Sequence, residues 1–240
     1  MADRAYPTAE DLAREIEVRV RALASPDTAS IRRLRREYSK RLRVAPPRLV
    51  VDVALELWRG GDVARRQGAV HRFFGDELIV EHPMALSLIG PEEIVALGEG
   101  LSSWDQVDCF ALYLAGRAWR RGQISDELVM SWAASQDRWW RRAALVSTVP
   151  LNAKAQGGSG DTPRTLALCA LLVDDRDDMV VKAMSWALRV LSQRDAAAVR
   201  SFADANRERL ASRVVREVEH KLWTGLKNPR RQQPPRVSSD

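Results

Sequence analysis

Cysteine is scarce in this 240-residue chain: Cys109 and Cys169 stand alone inside apolar stretches. Neither has the spacing of a metal or redox motif, so both read as reduced core residues, and neither a metal nor another cofactor is expected. Long apolar runs are missing as well. None approaches the ~20 residues of a membrane span, and the opening Met-Ala-Asp-Arg-Ala-Tyr-Pro is too polar for a secretory signal. A cytoplasmic protein with no membrane role is the expectation, and a monomer. Period-two alternation is also lacking, which leaves a β-sheet without support.

What the chain does have is helical periodicity, positive charge and tryptophan. Hydrophobic residues make up 45% and charged residues 29%, the balance of a globular protein with ample core. The formal net charge of +6 suits nucleic acid or acidic surfaces, although charge alone is weak evidence. Eight tryptophans are present, several beside arginine or aspartate, and most read as interhelical core.

Helices are predicted at about 8–24, 28–43, 47–58, 63–74, 76–88, 91–100, 103–121, 125–134, 137–148, 162–173, 177–192, 195–208 and 211–226. Short turns join them, in pairs of roughly forty residues, which is the rhythm of HEAT-like repeats. The expected fold is therefore all-α: an α-solenoid with a concave groove, in one domain over residues 1–227, with a disordered tail at 228–240. An irregular helical bundle is the plainer alternative.

Four stretches carry unusual chemistry. Ser102-Ser103 offers an N-cap to a helix in which Trp104 and Asp108 lie one turn apart. Their face continues through Val107, Ala111, Leu112 and Ala115, so Asp108 points where a carboxylate needs a partner. No basic residue stands three or four positions away, and the counter-charge must come from another part of the fold. Asp137-Arg138-Trp139-Trp140-Arg141-Arg142 begins another helix. Lys182, Trp186 and Arg189 share a third helical face. Between Arg32 and Arg43, seven cations accompany one glutamate. Each stretch alone has a bland reading as packing or solvated surface. Stacked in a solenoid they converge on one groove, which would bind a polyanion with a single carboxylate near its centre.

These stretches resemble the AlkD-type DNA alkylation repair glycosylases, HEAT-like repeat proteins that remove cationic alkylpurines. The resemblance runs from about Leu55 to Arg189. It rests on Glu56-Leu57-Trp58 with Ala64-Arg65-Arg66-Gln67, on Ser103 to Asp108, on Trp140 to Leu145, and on Lys182 to Arg189, in the family's order. It implies that Asp108 is the catalytic carboxylate and that Trp104 and Trp186 flank the lesion's deoxyribose. It also implies that Arg142 holds the adjacent phosphate, with Arg141, Lys182 and Arg189 nearby on the DNA backbone. The family's aromatic Phe-Pro-Phe segment is replaced here by Lys40 to Pro47, and Tyr38 would stand for a tyrosine ahead of it. The implied partner is double-stranded DNA containing alkylated purines, attacked without base flipping.

The chemistry is consistent with those residue types. An N3- or N7-alkylated purine is cationic and leaves as a neutral base, so little acid help is needed. The barrier is oxocarbenium character on the sugar, which a carboxylate and indole faces can stabilise. Two competing readings remain: a HEAT-like protein that binds damaged or distorted DNA without catalysis, and an armadillo-like protein scaffold.

Overall fold

The computed structural model describes residues 6–25, 27–60 and 66–226, and among these there is no strand. The elements are α1 (Ala9–Arg21), α2 (Thr28–Leu42), α3 (Pro47–Gly60), α4 (Arg66–Glu81), α5 (Pro91–Gly98) and α6 (Trp104–Cys109). A π-helical segment, Phe110–Ala115, joins α6 to α7 (Gly116–Arg120). There follow α8 (Asp126–Ala133), α9 (Arg138–Ser147), α10 (Val149–Asn152), α11 (Thr162–Leu171), α12 (Asp178–Leu191), α13 (Ala196–Ala205) and α14 (Ser212–Thr224). No helix among the described residues is long and apolar enough to cross a membrane.

Side-chain caps set many of the helix starts. Thr8, Asp27, Ser125, Asp137, Asp161, Asp177 and Asp195 each accept a backbone N–H from the first turn that follows. Each cap satisfies a donor that the helix cannot satisfy internally. The α6 start differs from expectation. Ser103 occupies the cap position but makes no cap bond, and Gln106 reaches back to accept the Ser102 N–H at 3.0 Å.

The helices stack as two ladders. One runs α2, α4, α6, α9, α12, α14, each rung touching the next. Behind it lie α1, α3 and α5, then α8, α11 and α13. This is an α-solenoid of helical pairs, as the periodicity predicts. The apolar stripe of each helix closes on the other ladder, where Leu12, Ile16, Tyr38, Phe74, Phe110, Trp119, Leu145 and Leu188 are all buried. Trp104 and Trp223 are exposed, whereas the other six tryptophans are buried or half-buried.

Two predicted elements differ. The expected break between 74 and 76 does not occur: α4 runs on to Glu81. Gly75 is there for close approach, since a Cβ would sit 3.2 Å from the Cα of Ala54 on α3. The helix ends before His82-Pro83, where the following proline disfavours α geometry and the His82 Nδ1 accepts the N–H groups of Met84 and Ala85. The predicted start of this helix at 63 and the tail at 228–240 lie outside the described residues.

The second difference is the π-helical segment inside the expected 103–121 helix. Gly116 ends it where the chain presses on the α9–α10 junction. A Cβ there would lie 2.5 Å from the Ser147 carbonyl oxygen and 2.8 Å from Pro150 Cγ. Such wide turns locally reset which side chains face a neighbour, and they recur at functional sites. Asp108 sits directly ahead of this one.

Candidate functional site

Asp108 lies on α6, and its missing counter-charge is Arg142 on α9. The guanidinium Nε donates to Asp108 Oδ1 at 3.0 Å and Nη2 donates to Oδ2 at 2.9 Å, a two-pronged pair. Nη1 donates to the Met179 carbonyl on α12 at 2.6 Å. One side chain thus links three consecutive rungs. The Arg142 side chain is 6% exposed, whereas that of Asp108 is 16% exposed, so part of the Asp108 side chain reaches the surface. Burial pushes the Asp108 carboxyl above its ordinary value, the Arg142 contacts pull it down, and the net shift is upward.

The two indoles lie on the first and last of these three rungs. Trp104, one turn before Asp108, is 57% exposed and offers its ring to solvent. Trp186 is half-buried on α12, seven residues after Met179 and therefore on the helical face that Arg142 meets. Lys182 lies on that same face, half-buried and paired with Asp178 at 2.6 Å. An ionised carboxylate with two of its acceptor positions still open, beside an exposed indole, can orient a water and stabilise a developing cation.

The family described as DNA alkylation repair enzyme matches residues 18–222. The chain belongs to that family. No curated protein matches the chain. Family membership makes DNA the substrate and alkylation repair the role, and the matched span includes every helix of the constellation just described.

Three residues expected to touch DNA in this repair protein are committed elsewhere. Tyr38 is 1% exposed, its hydroxyl donates to Glu15 at 2.7 Å, and its ring packs edge-on against Phe74. Burial pushes its phenol up to about 12. Arg141 donates to Asp175 and to the carbonyls of Ser135 and Gln136, pinning the α8–α9 turn to the turn before α12. Arg189, with its side chain 11% exposed, donates to Ser185 and pairs with Glu217 of α14. The spacing was right, but neighbouring rungs supply acceptors that turn these cations inward. Arg142 is likewise occupied by Asp108 rather than free to hold a phosphate.

The basic helix α2 divides in two. Arg32 and Arg35 pair with Glu77 of α4, and Arg41 pairs with Glu15 of α1. Arg33, Arg36, Lys40 and Arg43 are exposed and have no ion-pair partner among the described residues. They recur at i, i+3, i+7 and i+10, one stripe opposite the buried Ile31, Leu34, Tyr38 and Leu42.

Sequence reasoning missed the buried polar group on α4. His71, Arg72 and Asp76 are 2%, 7% and 6% exposed. Arg72 and Asp76 are one turn apart, a relation hidden by the helix break expected near Gly75. Burial lowers Arg72 to about 9 and raises Asp76 to about 7.

Proposed function

We propose that this protein is an alkylpurine DNA glycosylase. It hydrolyses the N-glycosidic bond of cationic N3- or N7-alkylated purines in duplex DNA, with Asp108 as the catalytic carboxylate. The observation that carries the reading is the Asp108–Arg142 pair: a mostly buried carboxylate, fixed at two points, with part of its side chain at the surface beside an exposed Trp104.

The geometry suits the reaction as follows. Arg142 fixes the rotamer of Asp108, so the carboxylate is aimed before substrate arrives and needs no reorganisation. Alkylation already makes the purine a good leaving group. As the C1′–N bond lengthens, positive charge spreads over the sugar, and the nearby carboxylate offsets it. The same carboxylate orients a water that adds to C1′. That water's proton departs to solvent or to the carboxylate, and the purine leaves with the bonding electron pair as a neutral base. Trp104 and Trp186 offer indole faces to the cationic sugar, worth about 0.5–2 kcal/mol each.

Grip on the duplex comes from the α2 stripe and Lys182, with the lesion attacked while stacked rather than flipped. The reading is tested by base release from duplexes carrying N7-methylguanine, with Asp108→Asn beside the wild type. Loss of release with retained duplex binding supports it. Undiminished release removes Asp108 from the chemistry.

A further inference from the structure

Lys182 belongs to the duplex grip although its ammonium is already paired, and its partner holds a second cation. Asp178 Oδ2 meets Lys182 Nζ at 2.6 Å, and Asp178 Oδ1 accepts from Arg213 Nη1 of α14 at 2.9 Å. One carboxylate thus joins two neighbouring rungs, with one oxygen for each cation. Asp178, Lys182 and Trp186 recur at i, i+4 and i+8 along one face of α12, so Lys182 stands one turn from the indole of the proposed reaction centre.

Arg213 is aimed from its own helix. Its Nε donates to Glu217 Oε1 at 3.1 Å, while Glu217 Oε2 accepts from Ser185 Oγ of α12 at 2.6 Å and pairs with Arg189. Lys182, Arg189 and Arg213 therefore share two carboxylates, and this group keeps an excess of positive charge.

The contacts of Asp178 are those that a backbone phosphate would make. A phosphodiester also carries a single negative charge, spread over two non-bridging oxygens that accept from separate donors. The Lys182 and Arg213 contacts hold the Asp178 carboxyl below its ordinary value, so it is ionised at neutral pH. The side chain is nonetheless exposed, and exposed pairs contribute little to stability and weaken with salt. Capping of α12 falls to Asp177, so Asp178 can turn to water without loss of the helix start.

We infer that Lys182 and Arg213 form a seat for a phosphate of the duplex backbone, which the Asp178 carboxylate occupies until DNA displaces it. Arg213 is then a backbone contact supplied by the last rung of the ladder. Asp178 lowers affinity for any duplex, undamaged DNA included. The inference rests on the proposed duplex grip, but not on Asp108 or on cleavage.

Fluorescence anisotropy with an undamaged duplex, using the full chain across a salt series, tests the seat. Asp178→Asn is expected to bind about 3–10-fold more tightly than wild type at low salt, with the slope of log affinity against log salt steeper by up to about 0.9. Adding Lys182→Gln and Arg213→Gln to Asp178→Asn is expected to return affinity to the wild-type level or below. Glu10→Gln is the control for net charge, since Glu10 forms an exposed i, i+4 pair with Arg14 on α1 of the rear ladder; its affinity should stay within about twofold of wild type. Thermal melts verify that each variant is folded. Equal tightening by Glu10→Gln, or unchanged or weaker binding by Asp178→Asn, overturns the seat alone. Absence of duplex binding by every variant overturns the seat and the grip together. Base release is not measured, so neither outcome depends on the chemistry at Asp108.

Discussion

Replacing Arg142 with methionine keeps an unbranched stem and removes the guanidinium and its charge. The Asp108 carboxylate then stays largely buried with its two charge-assisted hydrogen bonds gone, and the Met179 carbonyl loses a third. Breaking a buried pair at one end costs about 3–5 kcal/mol, because the remaining charge is uncompensated. For a chain of this size that is about 6–20 °C in melting temperature. The pH dependence has a definite sign. Burial already holds the folded Asp108 pKa above its unfolded value, and Arg142 is the influence that lowers it. Without Arg142 the folded pKa rises further, so ionising Asp108 opposes folding more strongly. The defect is therefore greatest at alkaline pH and shrinks as pH falls through the raised pKa, where the carboxyl becomes neutral. Urea unfolding followed by circular dichroism at pH 8 and at pH 5.5 measures it. Adding Asp108→Leu to Arg142→Met removes both charges and is expected to return stability to within about 1 kcal/mol of wild type. If the double variant is as unstable as Arg142→Met, the pair does not hold these rungs together as described.

Two further outcomes follow from other parts of the fold. Neutralising Arg33, Arg36, Lys40 or Arg43 to glutamine is expected to weaken duplex binding without loss of stability, each lowering the slope of log affinity against log salt by about 0.9; Arg35→Gln, by contrast, destabilises the fold by leaving buried Glu77 with Arg32 alone, visible in a thermal melt. Gly116→Ala forces a methyl against the Ser147 carbonyl and is expected to cost about 1–3 kcal/mol in urea unfolding.

The all-helical solenoid was legible in the sequence because helix periodicity, caps and turns are local signals. Asp108 is legible too, as a carboxylate on an apolar face without a nearby cation; Arg142 stands out in the sequence for a phosphate, whereas its guanidinium is taken by Asp108. What the sequence withheld was the use of each cation. Arg141, Arg142 and Arg189 differ in the acceptors that neighbouring rungs present, among them Asp175, Asp108 and Glu217, and those distances arise only from stacking. Tyr38 was misplaced for the same reason, since its outward-looking basic neighbours concealed that its own position falls on the apolar stripe. Gly75 misled in another way. Glycine marks a turn in isolation, but here it lets α4 cross α3, and a break at that point hides the buried His71, Arg72 and Asp76.

The central claim is that Asp108 supplies the charge that hydrolysis requires while Arg142 holds it in place. Single-turnover release of N7-methylguanine from a duplex, compared between wild type and Asp108→Asn at saturating enzyme, tests it most directly. The amide retains the shape and can still accept from Arg142, so duplex affinity should be kept while the rate falls by on the order of 10²-fold or more, the scale of losing one electrostatic stabiliser. Release at near wild-type rate by a folded, DNA-bound Asp108→Asn would contradict the account.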